Sequence, residues 1–299
     1  MRSHPLFGAY LALISVCIFW GTTYLAIRVA LESIPPLALI SGRFLISGTL
    51  MLTACRLLNL SLPPSNELRR TALNGVLILG AGNGCLVFAE VWIPSSLAAL
   101  FISVSTFWMV GVEALVPGGE KLHGPTLAGM TVGALGAATL LAPKAIQEGF
   151  SGNTWSGFLI LQLGSLSWSL GSILQKRRSG RTQPTLTAAI HQMAAGLAFL
   201  PAALLIPSAP VEWTWTGAAA ILYLAVFGSI IGYSSYAIAL ERLPVAIVSV
   251  YTYVNPVVAA ILGWVAYREP FGRREILALT IIFLGVAIVK RAASRRAPA

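Results

Sequence analysis

The sequence predicts an all-α integral membrane protein whose ten transmembrane helices form two inverted five-helix repeats around a central cavity. Three observations predict it. Of 299 residues, 57% are apolar and only 10% are charged, whereas a soluble chain spends about a quarter of its residues on charge. Ten apolar stretches recur along the chain, each close to the roughly 20 residues that cross a bilayer. Finally, landmark residues repeat in order at a spacing of half the chain.

The first stretch, 7–27, follows Arg2 and could imitate a signal peptide, but it is too long and has no small-residue cleavage pattern before Trp20, so it reads as the first helix. The others fall at 34–54, 72–92, 95–116, 124–142, 155–175, 184–206, 217–240, 244–266 and 273–290. Turn and charge clusters separate them, among them Leu62-Pro63-Pro64-Ser65-Asn66, Pro117-Gly118-Gly119-Glu120-Lys121, the basic run Lys176–Arg181, and Arg268-Glu269-Pro270. No stretch remains for a soluble domain.

The formal net charge is +10. The excess lies between apolar segments rather than on one soluble face, so it reads as topology and not as a nucleic-acid surface. All the acids are Glu. Without Asp there is no aspartyl protease dyad, Walker B carboxylate or EF-hand. The three cysteines, Cys17, Cys55 and Cys85, form no CxxC pair and read as packing residues. No cofactor or metal is expected. With the amino terminus inside, most Lys and Arg fall in cytoplasmic segments, so the chain is expected to be a multi-pass membrane protein with both termini cytoplasmic. The cluster Arg268, Arg273 and Arg274 runs against that rule.

The repeat pairs Trp20 with Trp168, Pro36 with Pro184, Gly48 with Gly196, Gly80 with Gly228 and Gly84 with Gly232, each 148 residues apart. Pro94 and Pro244 are 150 apart. This divides the chain into units 1–150 and 151–299. Five helices per unit is odd, so the second unit enters the membrane upside down, as in transporters whose halves expose a central site to one side at a time. Gly80/Gly84, Gly129/Gly133 and Gly228/Gly232 are small-residue faces for close helix contact.

Polar and aromatic side chains at membrane depth are the site candidates. Arg43 is mid-helix, and its counterpart is His191. Either could serve structure, by pairing or packing, or ion coupling. Asn83 and Glu90 share one helix face through Val87, and a carboxylate there suits a wet cavity and proton exchange. Trp20 and Tyr24, Trp168 and Ser172, Ser229 and Tyr233, and Tyr251 and Asn255 are each four apart and so share faces, and Trp108 is also mid-span. Trp20, Tyr24, Asn83, Glu90, Trp108, Trp168, Ser172, Tyr233, Tyr251 and Asn255 are therefore expected to line the cavity. Core packing is the alternative. Such a lining would take an amphipathic solute through apolar contact plus a few hydrogen bonds. Asn255-Pro256 should kink the ninth helix, and since Ser105-Thr106 has no proline the two halves should bend unequally, with Pro256 in a gating element.

Phe19-Trp20-Gly21-Thr22-Thr23-Tyr24, Gly42-Arg43-Phe44, Gly82-Asn83-Gly84 with Ala89-Glu90, Pro94-Ser95-Ser96-Leu97, and Tyr251-Thr252-Tyr253-Val254-Asn255-Pro256 resemble the EamA-type branch of the drug/metabolite transporter superfamily, over nearly the whole chain. The chain departs from that pattern at Val91, Ser105-Thr106 and Arg268. The resemblance implies ten helices, inverted halves, cytoplasmic termini and export of small metabolites, amino acids or drug-like solutes, from the inner-membrane exporter group. The reading is a secondary transporter working by alternating access, with a small-molecule solute and the lipid bilayer as partners, no nucleic acid, and a homodimer compatible. A facilitative uniporter or importer is the alternative. An intramembrane serine hydrolase using Ser151, in Gly149-Phe150-Ser151-Gly152 with His191 as base, is the remote one.

Overall fold

The computed structural model describes residues 6–148, 153–178, 182–267 and 272–294. Arg2, Ser151, Arg181, Arg268 and Glu269 lie outside the described residues, so the hydrolase nucleophile and part of the charge distribution are not placed. Among the described residues there are ten apolar helices long enough to cross a membrane and no strand. They are α1 (Phe7–Leu31), α2 (Pro36–Leu57), α3 (Ser65–Trp92), α4 (Ser95–Leu115), α5 (Gly124–Glu148), α6 (Thr154–Lys176), α7 (Pro184–Leu205), α8 (Trp215–Arg242), α9 (Val245–Leu262, its turns continuing to Tyr267) and α10 (Arg273–Ser294). The chain is an all-α membrane protein.

Proline sets several of the boundaries. Pro36 and Pro184 open α2 and α7, where the ring's fixed φ suits a first helical turn and its missing N–H is not needed. Pro94 and Pro244 precede α4 and α9, and the residues before them, Ile93 and Leu243, are forced into extended backbone that ends α3 and α8. α3 starts earlier than hydropathy alone predicts, because its first turns carry Asn66, Glu67, Arg69 and Arg70 and project past the apolar zone.

The ends of α1 and α3 and the segments leading into α2 and α8 meet on one face of the bundle. There the Glu212 N–H donates to Ser33 O at 2.9 Å and Arg28 Nη1 donates to Glu90 O at 3.3 Å. On the opposite face, Lys176 at the end of α6 donates to Leu240 O and Leu243 O at the end of α8. α1 and α6 therefore end on opposite faces.

Two helix pairs bring backbone against backbone. A Cβ at Gly48 of α2 would sit 2.6 Å from Met193 N of α7, and one at Gly196 of α7 would sit 2.7 Å from Leu45 N of α2. The second contact is the first shifted by 148 residues in both partners. In α5 and α10, a Cβ at Gly136 would meet Ile282 N at 2.7 Å and one at Gly285 would meet Gly133 N at 2.5 Å, again related by a single offset. Lipid tails give helices no hydrophobic reason to associate, so van der Waals contact at such points carries the pairing. Trp155, Trp213 and Trp215 are well exposed, in keeping with an interfacial belt.

The helices also depart from regular winding in pairs. Val76–Asn83 of α3 and Leu224–Tyr233 of α8 are π-helical, with i→i+5 bonds, a form often found at functional sites. α4 is interrupted at Val104 and α9 at Ser249-Val250. Both interruptions lie away from Pro256. The helix from Tyr251 runs on through Pro256, and α9 breaks before it. Serine, not proline, marks the breaks: Ser103 Oγ donates to Leu100 O at 2.7 Å and Ser249 Oγ to Ala246 O at 3.1 Å, each hydroxyl competing with the helix for a carbonyl. The two broken helices touch there, with Thr106 Oγ1 2.7 Å from Thr252 Oγ1.

Candidate functional site

α1, α2, α3, α4, α6, α8 and α9 enclose a cavity with about 80 Å³ open to the centres of water-sized molecules, room for more than a single water. Both π-helical segments feed it, Leu79, Gly82 and Asn83 from α3 and Gly228, Ser229 and Tyr233 from α8. A π turn widens the helix, which is how residues near one another in sequence face the same hollow.

Aromatic rings form one wall. Trp20 lies 5.3 Å from Trp168 in an edge-to-face contact and 5.0 Å from Tyr251 in another. Both geometries are favoured by the ring quadrupole. The Trp20 indole N–H donates to Gly228 O at 2.9 Å, and the ring lies where a Cβ at Gly232 would be, so the α8 glycines seat it. Trp168 rests on Gly82 instead, and its N–H donates to the Tyr236 hydroxyl at 3.1 Å. Tyr236 joins the set, stacking with Tyr233 and contacting Trp20, Trp168 and Tyr251. It is not among the expected lining residues, since nothing in its sequence spacing separates it from packing.

The polar side of the cavity is built on Arg43. Its Nε donates to Ser229 Oγ at 2.8 Å and its Nη1 to Asn83 Oδ1 at 3.4 Å. Arg43 is 5% exposed, and among the described residues no carboxylate pairs with it. Ser105 also lines the cavity, and its buried hydroxyl has no partner. Asn255, with its amide turned so that the nitrogen donates, bonds Tyr251 O at 2.9 Å and Cys17 O at 3.2 Å, tying α9 to α1.

Of the ten expected lining residues, Trp20, Tyr24, Asn83, Trp168, Tyr233, Tyr251 and Asn255 are brought together at this cavity. Glu90, Trp108 and Ser172 are not. Glu90 shares the Asn83 face but stands about 10 Å further along the helix axis. It is buried there, accepting from Ser95 Oγ at 3.2 Å, with Oε1 unpartnered. Trp108 follows the break at Val104, which turns the rest of α4 toward α6, so its indole donates to Gln162 Oε1 at 2.8 Å on the outside. Ser172 is covered by Tyr236, whose hydroxyl it meets at 2.6 Å. Pro256 is buried within α9 beside Asn255.

His191 lines a second, polar hollow near the end of α6, with Glu67, Asn74, Lys176 and Glu241. Its Nδ1 is 2.7 Å from the Tyr233 hydroxyl, and Tyr233 lines the central cavity. This one hydrogen-bonded pair therefore stands between the two spaces. Among the described residues no cluster of His, Cys or Glu is placed to hold a metal.

Comparison with known proteins agrees with this architecture. The EamA-like transporter family matches the chain twice, over residues 7–142 and 155–291. The chain is 36% identical to the "Uncharacterized inner membrane transporter YedA" of Escherichia coli (strain K12), over 95% of this chain and 90% of that one. It is 27% identical to a "Probable terminal-alkyne amino-acid exporter" of Streptantibioticus cattleyicolor, covering 94% and 92% of the two chains. It is 26% identical to a "Probable amino-acid metabolite efflux pump" of Escherichia coli (strain K12), covering 91% of each. A solved crystal structure shares the fold, with a TM-score of 0.80 at 22% identity, covering 96% of this chain and 99% of that one. The chain belongs to the EamA-like transporter family.

Proposed function

We propose that the chain is a secondary transporter of the inner membrane that exports small amphipathic metabolites, amino acids or drug-like solutes, by alternating access. Units 1–150 and 151–299 are inverted copies that rock about the cavity they share, with both termini cytoplasmic. The observation that carries this reading is that Trp20 and Trp168, 148 residues apart in sequence, touch each other across one cavity. The paired backbone contacts of α2 with α7 and of α5 with α10 support it, as do the relatives named as exporters and efflux pumps. The His191–Tyr233 pair, standing between the cavity and the polar hollow, is the gate on that side. Glu90, buried within electrostatic reach of Tyr24 and Arg28, is the group that would couple transport to protons.

Cells that express the chain and are preloaded with labelled amino acids and toxic analogues should lose label faster and tolerate the analogues better than cells without it. Retention or accumulation of every panel member would reject export.

A further inference from the structure

A buried cation without an anion is an expensive arrangement. Removing a guanidinium from water costs several kcal/mol, which a protein normally offsets with a carboxylate and a full set of hydrogen bonds. Arg43 has neither among the described residues. Its two hydrogen-bond partners are the neutral groups Ser229 Oγ and Asn83 Oδ1, and its Cζ stands 5.0 Å from the centroid of the Phe44 ring, a cation–π contact that brings no negative charge. An arginine carries five N–H donors in a planar fork, so most of the fork has no protein acceptor. Its Nη2 end lies beside Gly228, where a Cβ would come within 2.9 Å, so the backbone there leaves the guanidinium room. The fork is part of the cavity lining, and none of the lining residues is acidic. The rest of the lining is apolar or aromatic apart from neutral hydrogen-bonding groups such as the unpartnered Ser105 hydroxyl.

We infer that the central cavity is a monocarboxylate site in which the Arg43 guanidinium takes the carboxylate of an organic acid whose apolar or aromatic body lies against Trp20 and Trp168. Arginine suits this task because its parallel N–H bonds match both carboxylate oxygens. The lining offers no counter-charge for an ammonium group, so the site ranks a simple carboxylate above the corresponding amino acid, and the amino acid above the amine. One cation is enough for a carboxylate but not for a phosphate ester or diphosphate, whose higher charge calls for several basic groups. This inference deepens the transporter reading by naming the solute class, and it rests on that reading only for the statement that the bound acid is carried across.

The test uses the purified full chain in lipid nanodiscs and follows quenching of tryptophan fluorescence by 3-phenylpropionate, its neutral amide, phenylalanine and phenethylamine. Hydrogen bonds to an ionised acceptor are stronger than those to a neutral one, so the acid should bind at least about tenfold more tightly than its amide, with phenylalanine between the acid and phenethylamine. Arg43→Gln should abolish the difference between acid and amide. Because Arg43→Gln could also unfold the chain, Asn83→Asp provides a second variant that keeps the arginine and sets a protein carboxylate beside Nη1. It should weaken the acid about tenfold or more relative to the amide. Equal binding of acid and amide to wild type, a preference that survives both substitutions, or failure of 3-phenylpropionate to bind would overturn the inference. Efflux of neutral or cationic solutes without carboxylate preference would leave the transporter reading standing. Tight binding of the acid with no movement across proteoliposomes would instead count against transport.

Discussion

Arg28 and Lys176 stand 148 residues apart and cap equivalent carbonyls on opposite faces of the bundle, yet the two ends differ. Lys176 reaches two carbonyls, Leu240 O at 3.0 Å and Leu243 O at 2.6 Å, whereas Arg28 makes a single 3.3 Å bond to Glu90 O. At the first end the capped residue is a buried carboxylate, and at the second it is leucine. The backbone geometry repeats while the side chains diverge. In the proposed transporter, duplication therefore supplies the frame, and local substitution decides which face is held more tightly and which can take part in proton chemistry.

The largest effect should come from breaking the shared frame. Gly48→Val or Gly196→Val drives a side chain into the facing backbone, where overpacking costs about 1–3 kcal/mol or more. Each should lower the yield of monodisperse protein and its melting temperature, whereas Gly111→Ala, with nothing within 4 Å of its added methyl, should change neither. Next comes the contrast between the two cations. Lys176→Met removes two charge-assisted bonds and should shift the conformational equilibrium by more than about tenfold, opening the α6–α8 end to a membrane-impermeant thiol reagent aimed at a cysteine at Glu67. Arg28→Met removes one long bond and should change accessibility at its own face by a few-fold at most. Equal effects would dissolve the difference between the faces. Glu90→Gln tests the chemical asymmetry, since efflux from liposomes should lose its response to an imposed pH gradient, and an unchanged response would remove Glu90 from coupling. Smallest should be Ser103→Ala and Ser249→Ala, each deleting one hydroxyl-to-carbonyl bond worth about 0.5–1.5 kcal/mol and stiffening its broken helix, to be read as slower turnover with little loss of binding.

The frame was legible in the sequence because its causes are local or periodic. Span length follows from hydropathy, the ends of α3 and α8 follow from Pro94 and Pro244, and the offset of 148 links Gly48 to Gly196 before any contact is known. The cavity wall was legible where residues four apart lie on regular helix, as with Trp20 and Tyr24. It failed where winding changes. Trp108 lies beyond the break at Val104, so a face drawn through α4 as one straight helix points the wrong way. The π-helical turns that bring Asn83 and Ser229 to Arg43 leave no mark in a hydropathy pattern, because they depend on packing against neighbours distant in sequence. Ser105 was seen only as the place where a proline was missing, although its unpartnered hydroxyl lines the cavity.

The most direct test of a cavity shared by both halves is solute counterflow into proteoliposomes, measured for wild type, Trp20→Ala and Trp168→Ala with an aromatic acid as the labelled solute. Both substitutions should abolish uptake while the variants remain folded, because each removes one side of the same aromatic contact. Wild-type counterflow in both variants, or loss in one alone, would contradict a common site.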